Sequence, residues 1–317
     1  MEKNQRVAMV FGCGGLGDHA YYNRMGFKGL LKARQQLGIA FDYKLPNTVS
    51  DIEPQLREFV EESVYSLVMV MGFGASAALQ RVAAAFPSQL FAAFDARADL
   101  PNVSNYGGDP RSVAFLAGGV AASLSMTGKV GALFGTENSG YWRWVAGYIA
   151  GAKLSIPHID VVPKFLLNWS PSPEEGEAAA DELYHLGVDV IMAHLDEGDV
   201  GVFRAARKQV RYAIGFNGER KLDPRHVLFD LHRYLDNLVY DAVERIVNEK
   251  FRSGFEAWGM ERGQYGLEFG EPVHPRITKD VIHHMEKLKD LLASGRLGNL
   301  PSSPDEIGPF LEANESL

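Results

Sequence analysis

Residues 12–23 read Gly-Cys-Gly-Gly-Leu-Gly-Asp-His-Ala-Tyr-Tyr-Asn. An apolar run, Arg6 to Phe11, precedes this stretch, and a helical pattern carrying Phe27, Leu30 and Leu31 follows it. The stretch is therefore expected to turn a first buried strand into a first helix. In an open α/β sheet such turns lie at the carboxyl ends of the strands, where ligands bind. Gly12, Gly14 and Gly17 also spell G-x-G-x-x-G, the dinucleotide-binding pattern.

That pattern makes a second demand. An acidic residue should end the second strand, about 20 residues on, to hold the ribose hydroxyls. The second strand is predicted at Ala40–Lys44, with Asp42 inside it and Leu45-Pro46-Asn47 after it. Asp18 directly follows the glycines, and a carboxylate repels a pyrophosphate at a helix N-terminus. Tyr21, Tyr22 and Asn23 then offer two aromatic faces and an amide that donates and accepts. This set suits a planar, uncharged, hydrogen-bonding ligand better than a phosphate. The alternatives are an NAD(P)-dependent Rossmann oxidoreductase using the Gly12-Gly14-Gly17 loop, and a glycine-rich turn with no ligand.

Working outward, strand and helix patterns alternate. Strands are expected at Val7–Phe11, Ser66–Met71, Leu90–Phe94, Lys129–Phe134, Val188–Ala193, Tyr212–Phe216 and Val227–Phe229. Their continuous apolar runs suit parallel strands covered on both faces. Helical patterns fall at Asp51–Glu62, Ala75–Phe86, Leu235–Phe251 and Thr278–Ser294. Ser172-Pro173-Glu174-Glu175 is a capping box with proline at the first helical position. Gly254–Gly270 reads as turns and short strands, and Leu300–Leu317 as a loosely ordered tail. Two strand sets, Val7 to about Leu124 and Lys129 to about Asp230, imply two α/β lobes.

The 317 residues are 46% apolar and 23% charged, with net charge -8. That composition buries a real core. No basic stripe invites nucleic acid. The single cysteine, Cys13, excludes an internal disulfide and is expected to pack at the end of the first strand. The apolar run before it, about five residues, is shorter than a signal-peptide core. His283 and His284 are adjacent and would point apart on a helix, so they are expected at the surface. No zinc-protease, nucleophile-elbow or Walker loop is present, and neither a metal nor a cofactor is expected.

Four stretches together resemble the basic membrane protein family of ABC-transporter solute-binding proteins, whose characterised members include purine-nucleoside receptors. They are GGLGDHAYYN (14–23), MGFGASAALQRVAAAFPSQLFAAFD (71–95), SVAFLAGGVAASLSMTGKVG (112–131) and WVAGYIAGAK (144–153). Weaker similarity runs on through GVDVIMAH, GVFRAA, YAIGF and LDNLVYDAV. The resemblance implies a type I periplasmic-binding fold, with two Rossmann-like parallel-sheet lobes, three crossovers and a ligand cleft between the lobes. Lobe 1 would hold 1–124 and about 236–258, lobe 2 would hold 125–235 and about 259–299, and 300–317 would form the tail.

It further implies a non-enzymatic, exported receptor, monomeric and extracytoplasmic, passing a nucleoside or base to a membrane permease. A cytoplasmic ligand-sensing domain of the same fold is the alternative. The ligand contacts would be Asp18, Tyr21 or Tyr22, Asn23, Phe73 and Asp95 from the first lobe. Tyr141, Trp142, Asp196, Asn217, Asp230 and Arg233 would serve from the second. Each has a structural alternative: core packing for the aromatics, a helix cap for Asp199 beside Asp196, an Asx turn for Asn217, and a salt bridge for Asp230 and Arg233. The chain departs from the family at Leu195-Asp196-Glu197-Gly198-Asp199, where the family has G-G-T-G. It departs again at Asn217, where the family has an acid, and near His232 and Arg233, where it has lysine.

Overall fold

The computed structural model describes residues 5–17, 21–169 and 171–317. Asp18 and His19 lie outside the described residues. The chain divides into two compact units. Unit 1 holds the chain up to Gly108, with Tyr234–Trp258 and Arg262–Gln264; unit 2 holds Asp109–Arg233, Gly259–Glu261 and Tyr265–Leu317.

Unit 1 begins β1 (Arg6–Val10), α1 (Tyr21–Leu37), β2 (Ala40–Lys44), α2 (Ile52–Glu61), β3 (Leu67–Met71), α3 (Ser76–Ala85), β4 (Phe91–Phe94) and β5 (Val103–Gly108). Unit 2 continues with α4 (Arg111–Leu124), β6 (Lys129–Phe134), α5 (Ser139–Ser155), β7 (Asp160–Phe165), α6 (Pro173–His185), β8 (Val190–His194), α7 (Asp199–Gln209), β9 (Tyr212–Phe216) and β10 (Val227–Arg233). Then α8 (Leu235–Val247) and β11 (Gly254–Trp258) return to unit 1, and β12 (Tyr265–Glu268), α9 (Lys279–Ala293) and α10 (Pro304–Ala313) complete unit 2.

Each unit is built on a six-stranded sheet. The orders are β11-β5-β4-β3-β1-β2 and β12-β10-β9-β8-β6-β7. Every pairing is parallel except β10 with β12, which is antiparallel. β1 and β3 are almost wholly buried, as their uninterrupted apolar runs require of strands covered on both faces.

The helices close on the sheets through small residues. In unit 2 a Cβ on Gly118 of α4 would lie 1.9 Å from the Tyr148 carbonyl oxygen of α5, and one on Gly151 would lie 1.8 Å from that of Phe115. The two helix backbones therefore touch, which only glycine allows. This contact explains why α4, expected in lobe 1, belongs to unit 2. It also gives a structural use to the glycines of the AGGVA and AGYIAG stretches. In the same unit the T-G-K turn is held by Asp189, whose carboxylate accepts Ser125 Oγ–H at 2.7 Å and the N–H groups of Met126 and Thr127 at 2.6 and 3.1 Å.

Three further expectations change. The tail carries α10, with Phe310 6% exposed and Asn314 donating to the Phe310 carbonyl at 2.8 Å. Cys13 is exposed on the loop and not packed beneath it. His284 is half-buried and hydrogen-bonds Ser155 Oγ at 3.0 Å, while His283 is exposed. Among the described residues no helix is long and apolar enough to cross a membrane.

Candidate functional site

Because the strands run parallel, their carboxyl ends gather at one edge of each sheet, and most of the described candidate residues lie along these two edges. In unit 1, β1 runs into Gly12, and the loop bends with Gly14 at φ 107° and Gly15 at φ 69°, a backbone that favours glycine. Asn23, in the first turn of α1, closes that loop. Its Nδ2 donates to the carbonyls of Gly12 and Gly15, each at 2.8 Å, and its Oδ1 accepts the Gly12 N–H at 3.2 Å. The residue is 3% exposed. Asn23 was expected to face a ligand, but both amide protons are committed to the loop. Its role here is to fix the turn.

Tyr22 does reach the edge. Its hydroxyl lies 2.8 Å from Asp95 Oδ2 and 3.0 Å from the Phe94 carbonyl oxygen, and donates its one proton to these two acceptors. Tyr21 and Tyr22 are both half-buried against the unit 1 core, and the Tyr22 hydroxyl is tied to the end of β4. Phe73, on the turn after β3, is 79% exposed. Asp42 lies within β2, where it accepts from Arg6 Nε at 2.5 Å and Tyr65 Oη at 3.1 Å, so no acid stands at the end of β2 to hold a ribose.

In unit 2 the edge is aromatic. Tyr141 and Trp144 enter from the start of α5, which Asn138 caps by accepting the Tyr141 N–H at 3.0 Å. The Tyr141 ring lies 5.9 Å from Trp169 and 5.9 Å from His194, and His194 lies 4.5 Å from Phe216. Trp144 is 8% exposed and packs on Phe216 and Tyr265 as a core residue. Trp142 donates its indole N–H to Glu137 at 2.9 Å and packs on Phe165.

Carboxyl groups collect beside these rings. Asp196 is exposed. Asp199 is 2% exposed and accepts the Leu195 N–H at 3.0 Å. It is the first residue of α7 and does not cap it as expected; its carboxylate reaches back to fix the preceding turn. Burial, reinforced by the charge of Glu219, pushes its pKa well above the usual carboxylate value. Burial likewise lifts Glu219, which accepts the Phe216 N–H at 2.8 Å, to about 8. Tyr141 rises to about 12 through burial and the nearby charges of Asp196 and Asp199. Burial lowers His194, favouring the neutral imidazole, with Asp196 opposing.

Asp230 was expected at a strand end. β10 runs on to Arg233, so Asp230 lies inside the strand, 5% exposed, with its carboxylate accepting the Arg220 N–H at 3.0 Å. It braces the turn above β9; a Cβ on Gly215 would come within 2.4 Å of its Oδ1. Asn217 Oδ1 accepts the Arg233 N–H at 3.0 Å, joining β9 to β10. The Arg233 guanidinium lies 5.9 Å from the Tyr265 ring centroid.

Three residues just past the strands have left-handed backbones without being glycine: Asp95 at φ 54°, Asp196 at 53° and Asn217 at 51°. Asp and Asn tolerate this region best, and such positions cluster at functional sites. Trp169 was missed from the sequence. Nothing in its local pattern marks a strand end, because β7 before it is an edge strand carrying Pro163 and lacks an apolar run.

Known proteins share this fold. An uncharacterised lipoprotein of Pyrococcus horikoshii is 26% identical over 96% of this chain and 76% of its own length. Basic membrane protein A of Borreliella afzelii is 26% identical over 88% of this chain and 86% of its own. An ABC-transporter solute-binding protein of Aeropyrum pernix superposes with a TM-score of 0.77 at 24% identity, covering 98% of each chain. A transcriptional activator of the comK gene from Bacillus halodurans superposes at 0.79 with 20% identity, over 93% of this chain and 99% of its own. These superpositions establish the type I periplasmic-binding-protein-like fold, shared by transport and regulatory proteins. A family profile described as ABC transporter substrate-binding protein PnrA-like matches residues 5–289, and the chain belongs to this Bmp family of solute-binding proteins.

Proposed function

We propose that the solute is a small planar polar molecule, a purine nucleoside or nucleobase, bound without chemical change and passed to a membrane permease. The observation that carries this reading is the Tyr22–Asp95 pair. A ring pinned by its hydroxyl at the end of β4 presents a fixed face to a flat ligand, and the carboxylate beside it accepts from ring N–H groups. Phe73 supplies a second, exposed ring on the neighbouring strand end. Stacking on one aromatic is worth about 1–3 kcal/mol per base. Two such faces with paired hydrogen bonds reach roughly −8 kcal/mol, a micromolar constant, after ordering costs.

Tyr21, Tyr22, Phe73 and Asp95 in unit 1, with Tyr141, Asp196 and Arg233 in unit 2, are the contacts we assign. Asp18 is kept as a further contact. Trp142, Asn217 and Asp230 are assigned to holding the edge, as is Asn23. Related proteins of Pyrococcus are named lipoproteins, and an anchored, extracytoplasmic monomer fits a receptor that feeds a permease.

Native mass spectrometry of the purified protein, followed by ligand extraction, tests the reading. A nucleoside or base released from the protein is the expected result, together with thermal stabilisation by the same compound. Recovery of NAD(P), or stabilisation by nicotinamide cofactors alone, overturns it in favour of a Rossmann enzyme.

A further inference from the structure

Tyr22, Phe73 and Asp95, assigned above to the solute, sit on backbone that two small groups tie together. The first is the Phe94 carbonyl oxygen, which accepts the Gly72 N–H at 2.9 Å and lies 3.0 Å from the Tyr22 hydroxyl. The second is the hydroxyl of Ser76, the first residue of α3. It donates to the Phe73 carbonyl at 3.3 Å and accepts the Arg97 N–H at 3.0 Å. A serine hydroxyl carries one proton and two lone pairs, so it does both at once. Ser76 therefore joins the turn that carries Phe73 to the segment that follows Asp95.

Both sides of this joint depend on their backbone. The Phe73 ring is 79% exposed, so the ring's own packing does little to place it and its turn decides where it stands. That turn starts at Gly72, at φ 98°, and closes through the Ala75 N–H to the Gly72 carbonyl at 3.0 Å. On the other side, Asp95 is held at φ 54°, a conformation that persists where its surroundings fix it. Its N–H donates to the Tyr106 carbonyl at 3.0 Å. Beyond it, Ser76 takes the Arg97 N–H, and the buried amide of Asn105 holds the next residue. Asn105 Oδ1 accepts the Ala98 N–H at 2.9 Å, and its Nδ2 donates to the Ala98 carbonyl at 3.1 Å. Of these pins, Ser76 also reaches Phe73. A ring fixed before the ligand arrives spares part of the ordering cost of binding.

We propose that Ser76 is a positioning residue for the solute: its hydroxyl presets the Phe73 ring relative to the Asp95 carboxylate, so that the two meet a flat ligand as one face. This rests on the solute-binding reading above, which assigns Phe73 and Asp95 to the ligand. Ser76 acts through Phe73 and not by touching the solute.

Calorimetry with the full chain and two probes, adenosine and guanosine, tests the proposal in a double-mutant cycle. Ser76→Ala should weaken nucleoside binding about fivefold. Phe73→Ala should weaken it about tenfold or more. The double variant should bind no more weakly than Phe73→Ala, because with the ring gone the hydroxyl has nothing left to position. Ser76→Thr keeps the hydroxyl and should keep the parent affinity. Without any ligand, hydrogen exchange at the Arg97 amide should quicken about fivefold or more in Ser76→Ala and stay slow in Ser76→Thr. Losses that multiply in the double variant, or an Arg97 amide that exchanges alike in the parent and Ser76→Ala, overturn the proposal and leave the solute reading standing. Full affinity in Phe73→Ala overturns the proposal and the assignment of Phe73. Binding of neither nucleoside by the parent overturns the nucleoside reading and the proposal together.

Discussion

At the carboxyl edge of the first sheet, a side chain holds the loop: Asn23 makes three hydrogen bonds to the backbone of Gly12 and Gly15. At the edge of the second sheet, side-chain braces from Asp199, Asp230 and Asn217 are joined by close backbone contacts at glycines. Gly135 lies against the Asn168–Trp169 segment, Gly176 against Gly198, and Gly201 against Pro173. The first design tolerates substitution around the loop but not of the amide. The second tolerates no side chain at its glycines. The residues along the two edges differ as well: a tyrosine–carboxylate pair in unit 1, rings with acids in unit 2.

The sharpest way to break this contrast is Gly201→Val. A Cβ there would lie 1.8 Å from the Pro173 carbonyl oxygen, so α7 must move off α6 and carry Asp199 with it. A loss of more than about 3 kcal/mol in denaturant unfolding is expected. Asn23→Ala comes next. It strands the Gly12 N–H and removes both donors to the loop carbonyls, for an expected loss of about 2–3 kcal/mol. If it lowers affinity and leaves stability untouched, Asn23 faces the ligand after all and the contrast fails.

Acid chemistry separates the two edges by pH. The folded-state pKa of Glu219, about 8, lies above its ordinary 4.5. Between these values the folded protein keeps a proton that the unfolded chain has released. Its contribution to stability is therefore greatest below about pH 4.5, declines as pH rises, and levels off above about pH 8. Asp199 acts in the same direction. Melting temperatures measured from pH 5 to 8 should fall less steeply in Glu219→Gln than in the parent.

Tyr22→Phe is a smaller test. It deletes the hydroxyl shared by Asp95 and Phe94, and should cost about 1 kcal/mol of stability and about tenfold in solute affinity. Phe73→Ala is expected to move stability by no more than about 0.5 kcal/mol, since the ring is 79% exposed, and still to weaken solute binding. A large stability loss would mean that the ring is structural.

What could be read from sequence follows from what leaves a periodic or apolar trace. β2, β6 and β9 fall at their expected limits because strand runs announce themselves. The capping box at Ser172 forms as read, with Glu175 Oε2 accepting the Ser172 N–H at 2.8 Å and Ser172 Oγ accepting that of Glu175 at 3.2 Å. β5 escaped because Ser104 and Asn105 break its pattern. Asn105 is buried and satisfied by the Ala98 backbone at 2.9 and 3.1 Å, a pairing that sequence spacing does not reveal. The lobe membership of α4 was hidden for a related reason, since two glycine seams decide it and they meet only in three dimensions.

The candidate site was legible as a set of strand ends but not as a set of roles. Tyr22 and Asp95, distant in sequence, are joined by one hydrogen bond. Asn23 and Asp230, equally plausible by type, face inward. An amide or a carboxylate looks the same in sequence whether it meets a ligand or its own backbone. The residue types therefore indicate where a site lies, and the bonding decides who serves it.

Cys13 is the sole cysteine of the chain, and it is exposed beside the loop that Asn23 locks. A thiol-reactive fluorophore would attach at one defined point, on a loop whose backbone Asn23 hydrogen-bonds on either side of it. The protein therefore comes with its own handle for an optical readout of solute binding, with no engineered cysteine required.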